Sequence, residues 1–594
     1  MPEPVLVAIA WPYANARIHA GNVTGSHLPG DIFARFHRLS GNHVLMVSGS
    51  DSHGTPITVR AEKEGETPRK LFERFHTGFL QLFQRLGISY DLFTHTDTEN
   101  HHRVSQDFFL ELLDKGYLFR ETQQQMYSKA QGRFLPDRYV EGTCPVCGYE
   151  SARGDQCDNC NTLLDPGELV EPRSALDGST PELRSTEHFF LDLPKLARKG
   201  LVQWLEQEKD HWRPNVINFA RNYVGEGLQG RPITRDLQWG IPVPLEGWEG
   251  KCLYVWFEAV IGYFSASVEW ARNRGQPEAW KEWWYNRKAR TLYFIGKDNI
   301  PFHAVIWPAE LMGVERLYDA DESRVLNLPY DVPANEFMNL EGAGMSGSRN
   351  WAVWMDEALD RYDPDALRYY LTAAMPETRD TYWLWDEFVH QNNKGLVGTW
   401  GNLAHRALTF AFKRFEGRVP TPGSLDEVDM ELLGKIEHGF DSVGGLLAGC
   451  HLRAALAEVM ELAREANRYL EEKGPWFQIK ESREAAGTTI YVVLKAIDSL
   501  KLLFAPFLPF SSERLNGYLG YDERLFGRQY TETFEEEGGR QHEALCYDGS
   551  GAAGVWQPSN LPPGQALRQP APLFEALDES VIEEERARLG MRTA

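Results

Sequence analysis

Histidine, glycine and asparagine stand close together in His19-Ala20-Gly21-Asn22, just after Pro12-Tyr13-Ala14-Asn15. Imidazole and carboxamide groups can donate hydrogen bonds to phosphate oxygens as charge develops on them. Glycine lacks a Cβ, so a flat ring can lie against its backbone. A second polar cluster, Gly49-Ser50-Asp51-Ser52-His53-Gly54-Thr55, follows, and a third, Gly296-Lys297-Asp298, lies far downstream. Cys144-Pro145-Val146-Cys147 and Cys157-Asp158-Asn159-Cys160 form two C-x-x-C pairs separated by nine residues. Four thiolates so spaced suit one tetrahedral structural Zn²⁺ with no open coordination position. The Gly- and Asp-rich setting does not suit a redox pair, which opens a helix after a strand. Cys252, Cys450 and Cys546 are scattered and are expected in the core.

These clusters need elements to hold them. The apolar run 5–10 reads as a buried parallel strand, 23–39 as a helix and 44–48 as a second strand, one βαβ unit. Both strand ends then open on one sheet edge, where α/β folds bind nucleotides beside a helix N-terminus. A further strand, 291–295, closes on Gly296. Trp256 and Tyr263 are seven apart, and His303 and Trp307 four apart, each pair on one predicted helix face. Such stripes are commonly plain core, but rings also suit a thioether sulfur. Beyond Asp386 apolar residues recur at three- and four-residue steps, as at Leu452, Ala455, Val459 and Leu462, which predicts a helical bundle. The stretch 535–570 is Gly-, Glu- and Pro-rich and is expected to be a loop ahead of a short terminal helix.

Length and charge bound the rest. A chain of 594 residues should form about four domains. No apolar run reaches the roughly 18 residues of a membrane span. The best candidate, 490–510, carries Lys495, Asp498 and Lys501 and reads as a core helix. No basic region precedes an apolar segment at the N-terminus, so no signal peptide is expected. The formal charge of −23 argues mildly against a nucleic-acid partner, although a local basic face can coexist with it. Cysteine usage suggests a reducing cytoplasm.

Taken together, Pro12-Tyr13-x-Asn15, His19-x-Gly21-Asn22 and Asp51 resemble the methionyl branch of the class I aminoacyl-tRNA synthetases. Asn22 stands where many relatives have a second histidine. The runs Gly230 to Pro244 and Tyr254 to Tyr263 are similar to that branch too, with Glu258 in place of the usual Asp and Val260 in place of Pro. The resemblance implies a Rossmann-like parallel-sheet catalytic domain with a zinc-bearing connective insertion, followed by an α-helical anticodon-binding bundle. It implies catalytic domain halves at 1–115 and 229–330, the insertion at 116–228 and a stem-contact module at 331–388. The anticodon domain would span 389–525, with a C-terminal extension at 526–594. Tyr13, Trp256, Tyr263, His303 and Trp307 would line a methionine pocket, and Asp51 would pair with the substrate ammonium. His19 and Asn22 would serve the ATP phosphates, with Gly21 and Gly296 against the nucleotide and Asp298 on the ribose. Mg²⁺ would accompany ATP. Asn402, Arg406 and Trp476 would read the tRNA(Met) anticodon, since unpaired bases stack on aromatics and are read at their edges. No appended dimerisation domain is expected, so a monomer is implied.

The second family signature, a Lys-Met-Ser-Lys-Ser loop, corresponds to Gly344-Met345-Ser346-Gly347-Ser348. Both lysine positions are glycine. Losing a charged donor to a transition-state phosphate can cost on the order of 3 kcal/mol. Arg349 and Lys297 are the candidate replacement cations, and Gly-rich backbone with Ser346 and Ser348 can also bind phosphate. Two readings follow: a methionine–tRNA ligase with an altered loop, or a weakened or inactive paralogue that binds tRNA or methionine.

Overall fold

The computed structural model describes residues 2–136, 139–154, 157, 159–160, 162, 164, 166–175 and 177–590, with the Ser348 side chain outside that set. A seven-stranded sheet organises the molecule. Its order is Ala334–Asn335, Arg290–Gly296, Pro4–Ile9, His43–Ser50, Leu92–His95, Gln541–Asp548, Arg528–Glu535. The first five strands run parallel. Pro4–Ile9 is buried along its whole length, as a central strand covered on both faces must be. Its C-terminal end leads into a helical stretch from Ala20 to Leu39, whose Val23–His27 portion is a wide π turn. Such insertions are frequent at functional sites.

The last two sheet strands correct the expectation of a loop over 535–570. Arg528–Glu535 and Gln541–Asp548 form an antiparallel hairpin whose second strand pairs with Leu92–His95. The strand signal is weak because Arg528–Glu535 is mostly exposed and largely polar, with Tyr530 and Phe534 its only aromatic residues. The hairpin covers what would otherwise be an open sheet edge. The helix Ser580–Arg588 does form near the C-terminus.

Between the strands Leu92–His95 and Arg290–Gly296 lies the insertion. Leu118–Ser128 and Glu182–Leu191 pair as a long antiparallel ribbon. A small three-stranded sheet, Ala152–Arg153, Val140–Thr143 and Val170–Ser174, carries the cysteine segment. Its core holds few side chains, among them Met126, Tyr139, Val140 and Leu169. A core that small calls for a metal staple.

The helices Glu427–Ala448, Leu452–Lys473 and Arg483–Phe504 form the bundle. One buried cation joins it to the sheet. Arg368, on the helix Pro364–Ala373, donates to Asp31 at 2.7 Å, to the Phe507 and Pro506 carbonyls and to the Leu86 carbonyl. Asp31 also accepts from Arg35 at 2.9 Å and from Ser89. Burial would raise the Asp31 carboxyl, but Arg35 and Arg368 bring it down to about 2. Among the described residues no helix is long and apolar enough to cross a membrane. Arg368→Met leaves Asp31 buried with one cation fewer and should destabilise the protein by about 3–5 kcal/mol, read by urea denaturation. Adding Asp31→Asn should recover part of that loss. Because the Asp31 carboxyl is depressed, its contribution is present above about pH 4 and fades as pH falls toward 2.

Candidate active site

Two turns at the parallel strand ends build the site. Backbone bonds from Asp51 N to Pro12 O and from Ala14 N to Asp51 O, each 2.9 Å, lock the turns together. Tyr13 and Asp51 are therefore neighbours despite their distance in sequence.

One cavity of about 410 Å³ opens beside His19, Gly21, Asn22, Gly296, Asp298, Gly344 and Met345. Burial pushes the His19 imidazole down to about 4, so it is neutral at pH 7 and can donate only as a neutral ring. Asn22 Oδ1 accepts from the His19 backbone N–H at 3.1 Å, which leaves the amide NH₂ to face the cavity. A Cβ on Gly21 would stand 3.0 Å from the His19 ring, and one on Gly296 would stand 2.9 Å from Asp298 Oδ1. A side chain at either position would crowd a residue of the cavity. Burial raises the Asp298 carboxyl.

The expected replacement cations behave differently from each other. Lys297 Nζ is held by Glu336 at 2.7 Å and Asp380 at 2.8 Å, so its charge is already compensated. Arg349 is exposed, and its Nε donates to Ser346 Oγ at 3.2 Å. The segment matching the signature loop lies over His19, with Gly347 against Trp354 and Trp354 edge-on to the His19 ring at 6.2 Å.

Beside this cavity stand the aromatic residues. Tyr13 meets Trp256 edge-on at 5.9 Å, and Trp256 stacks on Phe302 at 4.2 Å. Tyr263 Oη and His303 Nε2 are 2.6 Å apart, and burial holds His303 near 4, hence neutral. Trp11, which the sequence reading passed over, stands 6.4 Å from Tyr263 and fills the space a Cβ on Gly262 would need. Trp307 is fully buried, with its ring beside Phe108 and Trp284.

Asp51 is buried, and burial followed by the neighbouring Glu258 pushes its carboxyl well above the usual carboxylate range. Glu258 itself accepts from His53 at 2.7 Å and His101 at 2.6 Å. Burial opposes the His53 charge, but Glu258 and Asp97 hold it up at about 10. Asp97 in turn takes Arg69 at 2.7 Å and Arg540, from the hairpin, at 2.8 Å. His53, Asp97 and His102 place ligand-type atoms within 4.8 Å of one another. Two guanidiniums on the same carboxylate repel a dication, so this is a charge network behind Asp51. Only the three-dimensional hairpin reveals the part played by Arg540.

The chain matches the family "tRNA synthetases class I (M)" over residues 5–408 and "Anticodon binding domain of methionyl tRNA ligase" over residues 419–538. It belongs to the methionyl class I tRNA synthetases. A methionine–tRNA ligase of Thermomicrobium roseum is 59% identical over 591 residues, 99% of each chain. One from Roseiflexus castenholzii is 54% identical over 597 residues, again 99% of each. The structure of Mycobacterium tuberculosis methionyl-tRNA synthetase in complex with methionyl-adenylate has a TM-score of 0.74 at 25% identity, covering 96% of this chain and 99% of that one.

Away from the synthetase cavity, the four cysteine sulfurs converge within 4.8 Å of one another. Cys144 and Cys160 Sγ are 3.8 Å apart, and Cys147 and Cys157 Sγ 3.6 Å. Tetrahedral zinc with Zn–S of about 2.3 Å separates its sulfurs by about 3.8 Å. Val146 N–H points at Cys144 Sγ, a donor that favours thiolate, and Gly148 takes the positive φ the knuckle turn requires. The residues fit a structural zinc.

On the bundle, the Arg406 guanidinium lies 4.8 Å over the Trp476 ring, so these two expected positions meet. Asn402 is exposed one turn earlier on the Arg406 helix. Trp476 is half-buried, and its neighbour Phe477, which had not been singled out, is 67% exposed.

Elemental analysis should give one zinc per chain. Cys147→Ser or Cys160→Ser should lose it and expose the 140–175 region to proteolysis, while the rest of the protein keeps its melting transition. Full retention of zinc in either variant would contradict the assignment.

Proposed function

We propose that this chain is a methionine–tRNA ligase. Methionine and ATP form methionyl-adenylate and pyrophosphate, and the methionyl group then passes to the 3′ end of tRNA(Met). The observation that carries this reading is Asp51: a buried carboxylate beside an aromatic wall, on the same sheet edge as the His19–Asp298 cavity.

The residues divide the work as follows. Asp51 takes the α-ammonium, and Tyr13, Trp256, Tyr263 and His303 enclose the thioether, with Trp11 in support. Asp298 binds the ribose hydroxyls, and Gly21 and Gly296 admit the nucleotide. The methionine carboxylate oxygen attacks the α-phosphorus, the bond to the bridging oxygen breaks, and pyrophosphate leaves. Neutral His19, the Asn22 amide and the glycine-rich loop donate to the oxygens that gain charge. Mg²⁺ bound with ATP would offset phosphate charge, and zinc would close the knuckle. Arg406, Trp476 and Asn402 read the anticodon. The enzyme would act as a monomer in the cytoplasm.

Methionine-dependent ATP–pyrophosphate exchange tests the activity. A Cβ at Gly344 meets nothing nearer than Asn339 Oδ1 at 3.9 Å, whereas one at Gly347 meets the Trp354 ring at 3.1 Å. Gly344→Lys should therefore accelerate exchange by about tenfold or more by restoring a cation, and Gly347→Lys should gain less. No exchange in the parent, with recovery in Gly344→Lys, would support the inactive-paralogue reading. Methionine binding should also release protons. The ammonium stabilises the ionised form of Asp51 and lowers its raised pKa, so binding weakens as pH falls through that raised value. Calorimetry in two buffers of different ionisation enthalpy should show proton release that is lost in Asp51→Asn.

A further inference from the structure

The C-terminal segment touches the signature loop at both ends. The helix Ser580–Arg588 is itself well anchored: Glu585 is buried and accepts from Tyr362 Oη at 2.7 Å and Arg361 at 3.0 Å. One turn of the helix presents Arg586, which reaches Glu341 at 3.4 Å and Asp386 at 2.5 Å. Glu341 opens the loop in a positive-φ conformation, and its carboxylate also accepts from Trp385 N at 3.0 Å.

At the other end stands Asn350, also at positive φ. Its carbonyl accepts from Gly590 N at 2.9 Å, and its Nδ2 donates to Arg588 O at 3.3 Å. Its Oδ1 accepts from Trp354 Nε1 at 2.7 Å. That indole is the one set against His19 and Gly347, with the Arg17 guanidinium 4.9 Å over it. A single side chain thus links the C-terminal segment to the ring that packs on His19. Gly590 is as close as a residue can come: a Cβ there would lie 1.9 Å from the Arg349 carbonyl.

We infer that the segment 580–590 is a clamp that holds the lysine-free signature loop over the phosphate site, and that Asn350 is the positioning residue through which it acts. The physical need follows from composition. Gly342, Gly344 and Gly347 give the loop a wide conformational range, and each residue ordered on binding costs entropy. A loop without lysines recovers little of that from charge. Fixing it in advance leaves its backbone donors preorganised for ATP. The inference rests on the reading of the His19–Asp298 cavity as the ATP site.

The test compares the parent with Asn350→Ala, Gly590→Val and a chain ended after Asp578. The first readout is limited trypsin cleavage at the Arg349–Asn350 bond, which does not depend on activity. Cleavage should be at least tenfold faster in all three variants, because each removes or displaces contacts that pin residue 350 to the C-terminal segment or to Trp354. The second is exchange kinetics. KM for ATP should rise at least tenfold, while the methionine dissociation constant stays within twofold. Gly590→Val keeps the helix intact, so it separates clamp loss from misfolding of the shortened chain. Equal cleavage rates in parent and Gly590→Val would overturn the clamp, as would ATP and methionine constants that move together. If the ATP-site reading alone is wrong, Gly590→Val changes cleavage but leaves ATP binding untouched.

Discussion

Parallel pairing of Pro4–Ile9 with His43–Ser50 is the constraint on which the site depends. It delivers two loops to one sheet edge, and the backbone bonds between Pro12, Ala14 and Asp51 then fix their spacing. Shifting either strand by one residue would turn its side chains to the other face. Tyr13, His19 and Asp51 would no longer converge. The chemistry is carried by turns, but the register of two buried strands sets its geometry.

Charge is arranged around that edge in two ways. The ammonium end is rich in compensated carboxylates: Asp51 backed by Glu258, His53, Asp97, Arg69 and Arg540. The phosphate end is nearly the reverse, because, apart from the exposed Arg349 at the loop's edge, its donors are neutral. His19 is held uncharged by burial, Asn22 is an amide, Lys297 is spent on two carboxylates and the loop positions are glycine. Stabilisation there has to come from preorganised dipoles, whose value depends on being held in place. On the clamp proposal, this is how contacts remote from the phosphates, at Trp354 and the C-terminal segment, would bear on the reaction.

Much of this was legible in the sequence, for physical reasons that can be named. Buried parallel strands are continuous apolar runs, so the core of the sheet and the turn after Pro4–Ile9 could be read directly. C-x-x-C pairs are local, so the knuckle could be too. The hairpin could not, because its outer strand is exposed and its inner strand gains its meaning only from pairing with Leu92–His95. The depth of Trp307, fully buried beside Phe108 and Trp284, was not legible because those partners lie far away in sequence. Trp11 and Arg540 were missed because their partners, Gly262 and Asp97, lie far away in sequence.

The central claim is that positioned donors, without either signature lysine, suffice to activate methionine at this site. Single-turnover formation of methionyl-adenylate, followed by chase onto tRNA(Met), measures it most directly. The account predicts that the parent forms adenylate and passes it to tRNA, with formation abolished in Asp51→Asn and slowed in His19→Ala. Absence of adenylate from the parent at saturating ATP and methionine would contradict it.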